Sequence, residues 1–148
     1  MTNATLPTQT EQLAPRLRLA VMRLARRLRQ QAEHDVTPSM LSALSSIERL
    51  GPLTLGELAE AERVRPPTIT KVIGRLDDEG LIVREPDPTD HRVARVRLSR
   101  RGAALVSRAR GRKDAFLARR LSGLSDSDVA SLEAALGAIE RILAAEDE

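Results

Sequence analysis

Apolar residues recur at helical spacing along most of this chain, interrupted by one short β-branched run near its middle. Leu13, Leu17, Val21, Leu24 and Leu28 form one stripe, with Arg16, Arg18, Arg23, Arg26, Arg27 and Arg29 largely off it. Thr37 and Pro38 open a second helix through Leu41, Leu44 and Ile47, closed by Gly51-Pro52. Thr54 begins a capping box with Glu57, and Leu55, Leu58 and Ala59 give the short helix that follows one apolar face. Glu60 to Val64 reads as a turn. Pro66 and Pro67 come next, tolerated where they stand only in a first helical turn, because their missing N–H groups lack partners there anyway. Ile69, Val72, Ile73 and Leu76 make the apolar stripe of that helix, and Gly80 sits where a left-handed C-terminal cap belongs.

Leu81 to Glu85 is the β-branched run and reads as a strand. Pro86-Asp87-Pro88-Thr89-Asp90 is dense in turn formers. Val93 to Leu98 then alternates, with Arg95 and Arg97 on one face and Val96 and Leu98 assigned to different ones. The product is a hairpin with Arg92 near its tip. Ser99 caps a long helix carrying Leu105, Val106, Ala109, Phe116, Leu117 and Leu121. Ser125 with Asp128 forms another capping box, opening a last helix with Val129, Leu132, Leu136, Ile139 and Leu143. The expected fold is mostly α with a small β-hairpin wing: a winged helix-turn-helix flanked by N- and C-terminal helices.

Two short helices in tandem followed by a basic-tipped hairpin is an order that places one helix in a DNA major groove and a loop beside it. The outward face of the second helix of the pair carries Thr68, Thr70, Lys71, Gly74 and Arg75, while Asp77, Asp78 and Glu79 are confined to its last turn. A helix facing only water would mix Glu and Gln among its cations. Pro67, Thr68 and Thr70 suit thymine methyls and base edges, and Arg65, Lys71 and Arg75 suit bases or phosphates. Arg92 on a protruding loop suits the negative potential of a narrow minor groove.

At 148 residues the chain is one domain by length, with a net charge of +3. The distribution says more. Residues 1–62 are neutral overall, residues 63–113 hold fourteen Lys/Arg against six Asp/Glu for +8, and residues 114–148 carry −5. A basic block over the helix pair and wing attracts phosphate and makes binding salt-dependent. An anionic membrane surface fits less well, given the wing's turn residues and a single aromatic, Phe116. No apolar run approaches the roughly 20 residues of a membrane span, and the polar N-terminus with Glu11 does not read as a secretory leader. A cytoplasmic, non-membrane protein is expected. With no cysteine, disulfides and thiolate metal sites are excluded. An enzyme is not expected: His34 and His91 are the only histidines, and no Gly-rich phosphate loop occurs. Asp87, Asp90 and His91 read as turn chemistry rather than a metal or general-base cluster. His34, beside Asp35, reads as a surface or capping residue. No cofactor and no metal are expected.

One family has this arrangement. The segment resembles the MarR family of bacterial winged-helix transcriptional regulators. The matching residues are Leu53-Thr54-x-x-x-Leu58-Ala59, Thr68-Ile69-Thr70-Lys71-x-Ile73-x-Arg75-Leu76-x-x-x-Gly80-Leu81-Ile82-x-Arg84, Asp87-Pro88-x-Asp90-x-Arg92 and Val96-x-Leu98-Ser99-x-x-Gly102. The Asp-x-Arg wing in register with Leu-Ser-x-x-Gly is the most specific part. The family often has Arg-Arg after the wing Asp; this chain has His91 then Arg92, so only Arg92 carries the implied wing-tip contact. The resemblance further implies that Asp90 braces the wing by pairing with a nearby Arg.

The terminal stripes are too apolar to stand alone, so they are expected to meet those of a second copy. The resemblance implies the same, since the family dimerises through its N- and C-terminal helices. Two recognition helices about 34 Å apart then read a near-palindromic operator. The expected layout is one intertwined domain: a polar tail over 1–10, a helical dimerisation region over 11–34 and 103–148, and a winged helix-turn-helix DNA-binding region over 37–102. The function implied is a sequence-specific regulator binding double-stranded DNA, a repressor relieved by a small-molecule effector held between the dimer helices and the winged lobe. Cysteine-based peroxide sensing, used by one branch of the family, is unavailable here. No ligand-lining residue is assigned. A low-specificity architectural DNA binder and a winged-helix protein-interaction module stand as alternatives.

Overall fold

A computed structural model describes residues 8–31 and 36–145; His34 lies outside them. Within these residues the order is α1 (Gln9–Arg29), α2 (Pro38–Leu50), β1 (Leu53–Thr54), α3 (Leu55–Ala61), α4 (Pro66–Asp78), β2 (Ile82–Pro86), β3 (Ala94–Leu98), α5 (Arg100–Leu121) and α6 (Asp126–Ala144). The chain divides into two compact units, Met1–Arg112 and Lys113–Glu148.

The core of the first unit is built where the helix pair, the sheet and the first half of α5 bury their apolar faces together. Met40 and Leu44 of α2, Leu58 of α3, Ile73 and Leu76 of α4, Leu81, and Val96 of β3 are its most fully enclosed large side chains. Leu105, Val106 and Ala109 of α5 close it. Burying each such Leu or Ile contributes roughly 1.5–3 kcal/mol. Leu105, Val106 and Ala109 therefore tie the first half of α5 into the winged unit's core. Glu48 of α2 and Arg110 of α5 add an ion pair on the outside of the same joint.

Helix ends follow their capping chemistry. Thr37 accepts from Met40 N at 3.2 Å to start α2. Thr54 and Glu57 complete a reciprocal box, Glu57 N to Thr54 Oγ1 at 3.1 Å and Thr54 N to Glu57 Oε2 at 2.8 Å. The same box, Thr8 with Glu11, starts α1 at Gln9, so the last residues of the expected polar tail are already helical. At Ser125 only half the box forms: its Oγ accepts from Asp128 N at 3.1 Å but donates to Asp128 Oδ2 at 2.7 Å, leaving no reciprocal bond from the cap N–H to the carboxylate. Asp is one methylene shorter than the Glu of the complete boxes.

The turn between α3 and α4 is later and tighter than expected. α3 runs to Ala61, and the chain reverses over Glu62 to Arg65 with Arg63 left-handed at φ 52°. Arg63 N donates to Glu60 O at 3.0 Å and Val64 N to Ala59 O at 3.0 Å, the double bond of a Schellman end. A glycine usually marks that position, and its absence concealed it. Gly80 makes the same end for α4, at φ 66°, with Gly80 N on Asp77 O and Leu81 N on Leu76 O.

The wing is part of a three-stranded antiparallel sheet in the order β1-β3-β2 rather than a free hairpin. Leu53 pairs with Val96 and Thr54 with Arg95 on one side of β3; Ile82 to Pro86 pair with Leu98 to Ala94 on the other. Val96 and Leu98 share the inward face, with Val96 fully buried and Leu98 packed on the core beside it. Their assignment to different faces is corrected by the two-residue period of a strand.

α1 has no buried residue in the single chain. Leu13, Leu19, Val21, Met22 and Leu24 are each about half exposed. In the second unit α6 is likewise without a buried residue, and Leu132, Leu136, Ile142 and Leu143 are open. Arg120 stacks over Phe116, its guanidinium carbon 5.3 Å from the ring centre.

Candidate nucleic-acid interface

α4 is held by one face and offered by the other. Ile69, Ile73 and Leu76 are buried, while Pro67, Thr68, Thr70, Lys71 and Arg75 are exposed on the outward side. Arg65 is the N-cap, extended at φ −72°, ψ 146°, and its side chain makes no capping bond. The Thr70 hydroxyl donates to Pro66 O at 2.9 Å, which fixes its rotamer and leaves its oxygen free to accept. Thr37, Ser39 and Met40 at the start of α2 form the other wall of an open groove that runs along Pro67, Thr68, Lys71, Gly74, Arg75 and Asp78.

The packing of α4 against α2 and α3 depends on a residue that pattern reading passed over. Glu62, in the turn, accepts from the hydroxyls of Ser42 and Ser46, one helical turn apart on α2. Both carboxylate oxygens are used, so the turn is tied to α2 at two points. The signal was present as Ser at i and i+4, but its acceptor is sixteen residues further along.

The wing has two layers of bracing. At its tip Asp90 pairs with Arg92: Oδ1 accepts from Arg92 N at 3.1 Å and Nε at 3.0 Å, and Oδ2 from Nη2 at 3.2 Å. The arginine partner of Asp90 is thus the candidate contact residue itself. Arg92 remains 90% exposed, and an ion pair so open to solvent contributes little and exchanges readily for a phosphate. At its base Asp87 is buried. Its Oδ1 accepts from Thr89 N at 2.8 Å, Thr89 Oγ1 at 2.7 Å and Asp90 N at 3.0 Å, and its Oδ2 accepts from Arg95 Nε. The Thr89 hydroxyl first, then Arg95 and the two backbone N–H groups, hold the Asp87 carboxyl far below the usual carboxylate range. Arg95 Nη1 reaches on to Glu57 Oε2 at 2.9 Å and Pro52 O at 3.1 Å. The base of the wing is therefore bolted to the capping box of α3. Asp87, Arg95 and Glu57 form this bridge, a role for Asp87 beyond turn chemistry.

Several cations of the basic block are ion-paired within the winged unit. Arg84 pairs with Asp77, Arg95 with Asp87 and Glu57, Arg97 with Glu85, and Arg110 with Glu48. Among the described residues, Arg65, Lys71 and Arg75 have no acidic partner. The cations along α4 are left unneutralised, whereas Arg92 at the wing tip shares the Asp90 carboxylate. Asp77, which opposes the α4 dipole, is accounted for by Arg84 on β2. Asp78 and Glu79 have no comparable explanation.

Together these elements define a winged helix-turn-helix, with the second helix of the pair and the wing open on the surface. A family model described as MarR family matches residues 36–94. An HTH-type transcriptional regulator of Mycobacterium leprae is 47% identical over 114 residues, 76% of this chain and 80% of that one. The HTH-type transcriptional repressor MdtR of Bacillus subtilis is 30% identical over 102 residues, 69% of this chain and 66% of that one. Among solved structures, a crystal structure of a Pseudomonas aeruginosa protein is similar at TM-score 0.81 and 37% identity, covering 93% of this chain and 98% of that one. The chain belongs to the MarR family. Among the described residues no helix is long and apolar enough to cross a membrane.

Proposed function

We propose that this chain, a DNA-binding transcriptional regulator of the MarR family, acts as a homodimeric, sequence-specific repressor of double-stranded DNA, binding a near-palindromic operator in the cytoplasm. The observation that carries the site is the line of unneutralised cations on the outward face of α4. Arg65, Lys71 and Arg75 stand there beside Pro67, Thr68 and Thr70, and a mixture of hydroxyls with cations suits base readout better than phosphate binding alone. Arg92 at the wing tip enters the adjacent minor groove. Dimerisation is supported by the apolar stripes of α1 and α6, largely exposed and without a buried residue in either helix. The dimerisation region is 11–34 with 103–148, α5 serving the core with its first turns. Repression follows from occlusion of a promoter, and relief by a small-molecule effector rests on the family alone.

The test is titration of a duplex enriched by the protein from a random-sequence pool, against an unselected duplex, at two salt concentrations. Tight, steeply salt-dependent binding to the first and weak binding to the second is expected. Lys71→Ala lowers affinity for the enriched duplex about tenfold or more without lowering Tm; a collapse of Tm would show that Lys71 faces the core. Arg92→Ala weakens binding and reduces the salt slope by about one per wing. Unchanged affinity would remove Arg92 from the interface. Equal binding to both duplexes would favour an architectural protein, and no binding at low salt a protein-interaction module.

A further inference from the structure

Gly74 lies in the middle of α4, on the outward groove with Pro67, Lys71 and Arg75. Two other glycines of the winged unit have reasons inside the chain. Gly80 is left-handed, and a Cβ on Gly102 would strike Leu81 O. Gly74 has neither reason: its backbone is helical, and a Cβ built there meets no atom within 4 Å. Glycine inside a helix is nonetheless less favourable than alanine, because its backbone loses more freedom on folding. The fold would be more stable with a side chain at 74, and has room for one.

We infer that Gly74 is the clearance point of the recognition helix, where the α4 backbone comes nearest to the floor of the major groove. This rests on the DNA-binding reading and deepens it. Lys71, one turn before Gly74, and Arg75, the residue after it, line the same groove, and both must reach base edges or phosphates from a helix seated at one depth. A methyl beside them holds the helix away from the groove floor. Hydrogen bonds near 2.9 Å weaken steeply as they stretch, so every short contact along α4 suffers together. Binding to unselected DNA, dominated by phosphate attraction, tolerates the same displacement. Gly74 is therefore a specificity-determining residue that acts through the absence of a side chain, and the surface it clears fits duplex DNA.

The experiment compares full-length wild type with Gly74→Ala and Gly74→Val, using a duplex enriched from a random pool by the wild type. Gly74→Ala is expected to raise Tm by about 3 °C while weakening binding to the enriched duplex about tenfold or more. Affinity for an unselected duplex stays within about twofold, and Gly74→Val loses more specific affinity without the gain in Tm. Improved stability with undiminished specific binding overturns the inference. So does a fall in Tm for Gly74→Ala, which would mean that the fold itself needs the glycine. Failure of the wild type to enrich any duplex overturns the DNA-binding reading and this inference with it, and is distinct from a defect confined to the variants.

Discussion

Replacing Gly102 with alanine is expected to lower Tm by about 6 °C, the largest loss of stability from adding one methyl group to the winged unit. Gly102 is buried in the first turn of α5, and its Cβ would lie 2.0 Å from Leu81 O and 3.0 Å from Leu81 C. The obstacle is backbone, so no rotamer change relieves it. Leu81 is also committed elsewhere. Its N donates to Leu76 O at 2.8 Å to end α4, and its O accepts from Ser99 N at 3.1 Å. Ser99 Oγ closes the knot, donating to Gly80 O at 2.6 Å and accepting from Gly102 N at 3.0 Å. An added methyl must move α5 away from the end of α4 and the start of β2 and loosen these bonds together. Overpacking of this severity costs about 3 kcal/mol or more, against roughly 1 kcal/mol gained from helix propensity. The net of about 2 kcal/mol is about 6 °C for a chain of this size, measured by thermal unfolding followed in the far ultraviolet. An unchanged Tm would show that α5 does not approach Leu81 so closely. The same contact gives the Leu-Ser-x-x-Gly spacing its physical reason: the serine ties, and the glycine permits the approach.

Much of this architecture was legible because its signals are local. Thr54 and Glu57, Thr37 and Pro38, Pro66 and Pro67, and Gly80 each announce a helix end within three or four residues, and all four ends form as read. The stripe of Ile69, Ile73 and Leu76 separates the buried side of α4 from its outward side in the same way. What escaped was set by partners distant in sequence. Leu53–Thr54 is too short to show any period, and is a strand only because Val96 and Arg95 pair with it. Arg63 adopts a conformation that its side chain disfavours, imposed by the turn between two packed helices. Glu62 gains its role only when α2 lies alongside.

The candidate site divides along the same line. Which residues face outward on α4 was readable from spacing. Which cations are already neutralised was not, because Arg84, Arg95 and Arg97 find their acids across strands or at the end of another helix. From sequence the net +8 of residues 63–113 is one block. In the structure part of it is taken up in ion pairs that brace the fold, and Arg65, Lys71 and Arg75 along the recognition helix keep their charge available to phosphate.

Asp87→Asn is expected to lower specific DNA affinity at least tenfold, although Asp87 is buried and touches no DNA in the proposed arrangement. The substitution keeps the shape and one carbonyl oxygen, so the bonds from Thr89 and Asp90 to Oδ1 persist. The other position becomes an NH2 group facing the Arg95 guanidinium, two donors with no acceptor between them. Arg95 then falls back on Glu57 and Pro52 O, and the base of the wing is no longer tied to it. Arg92 lies five residues from Asp87, so its placement beside the groove becomes variable, and the entropy of fixing it falls on binding. The salt slope becomes shallower at the same time, as after loss of Arg92 itself. Acid provides a second readout with a definite sign. The Asp87 carboxyl titrates below its unfolded value, so its contribution to stability is complete above the ordinary carboxylate range and is lost as pH falls toward the folded value. The difference in Tm between wild type and Asp87→Asn should be constant from about pH 5 to 8 and shrink below about pH 4, because asparagine does not titrate. A difference that stays constant down to pH 3, or a variant that binds like wild type, would show that Arg95 and Glu57 hold the wing without Asp87.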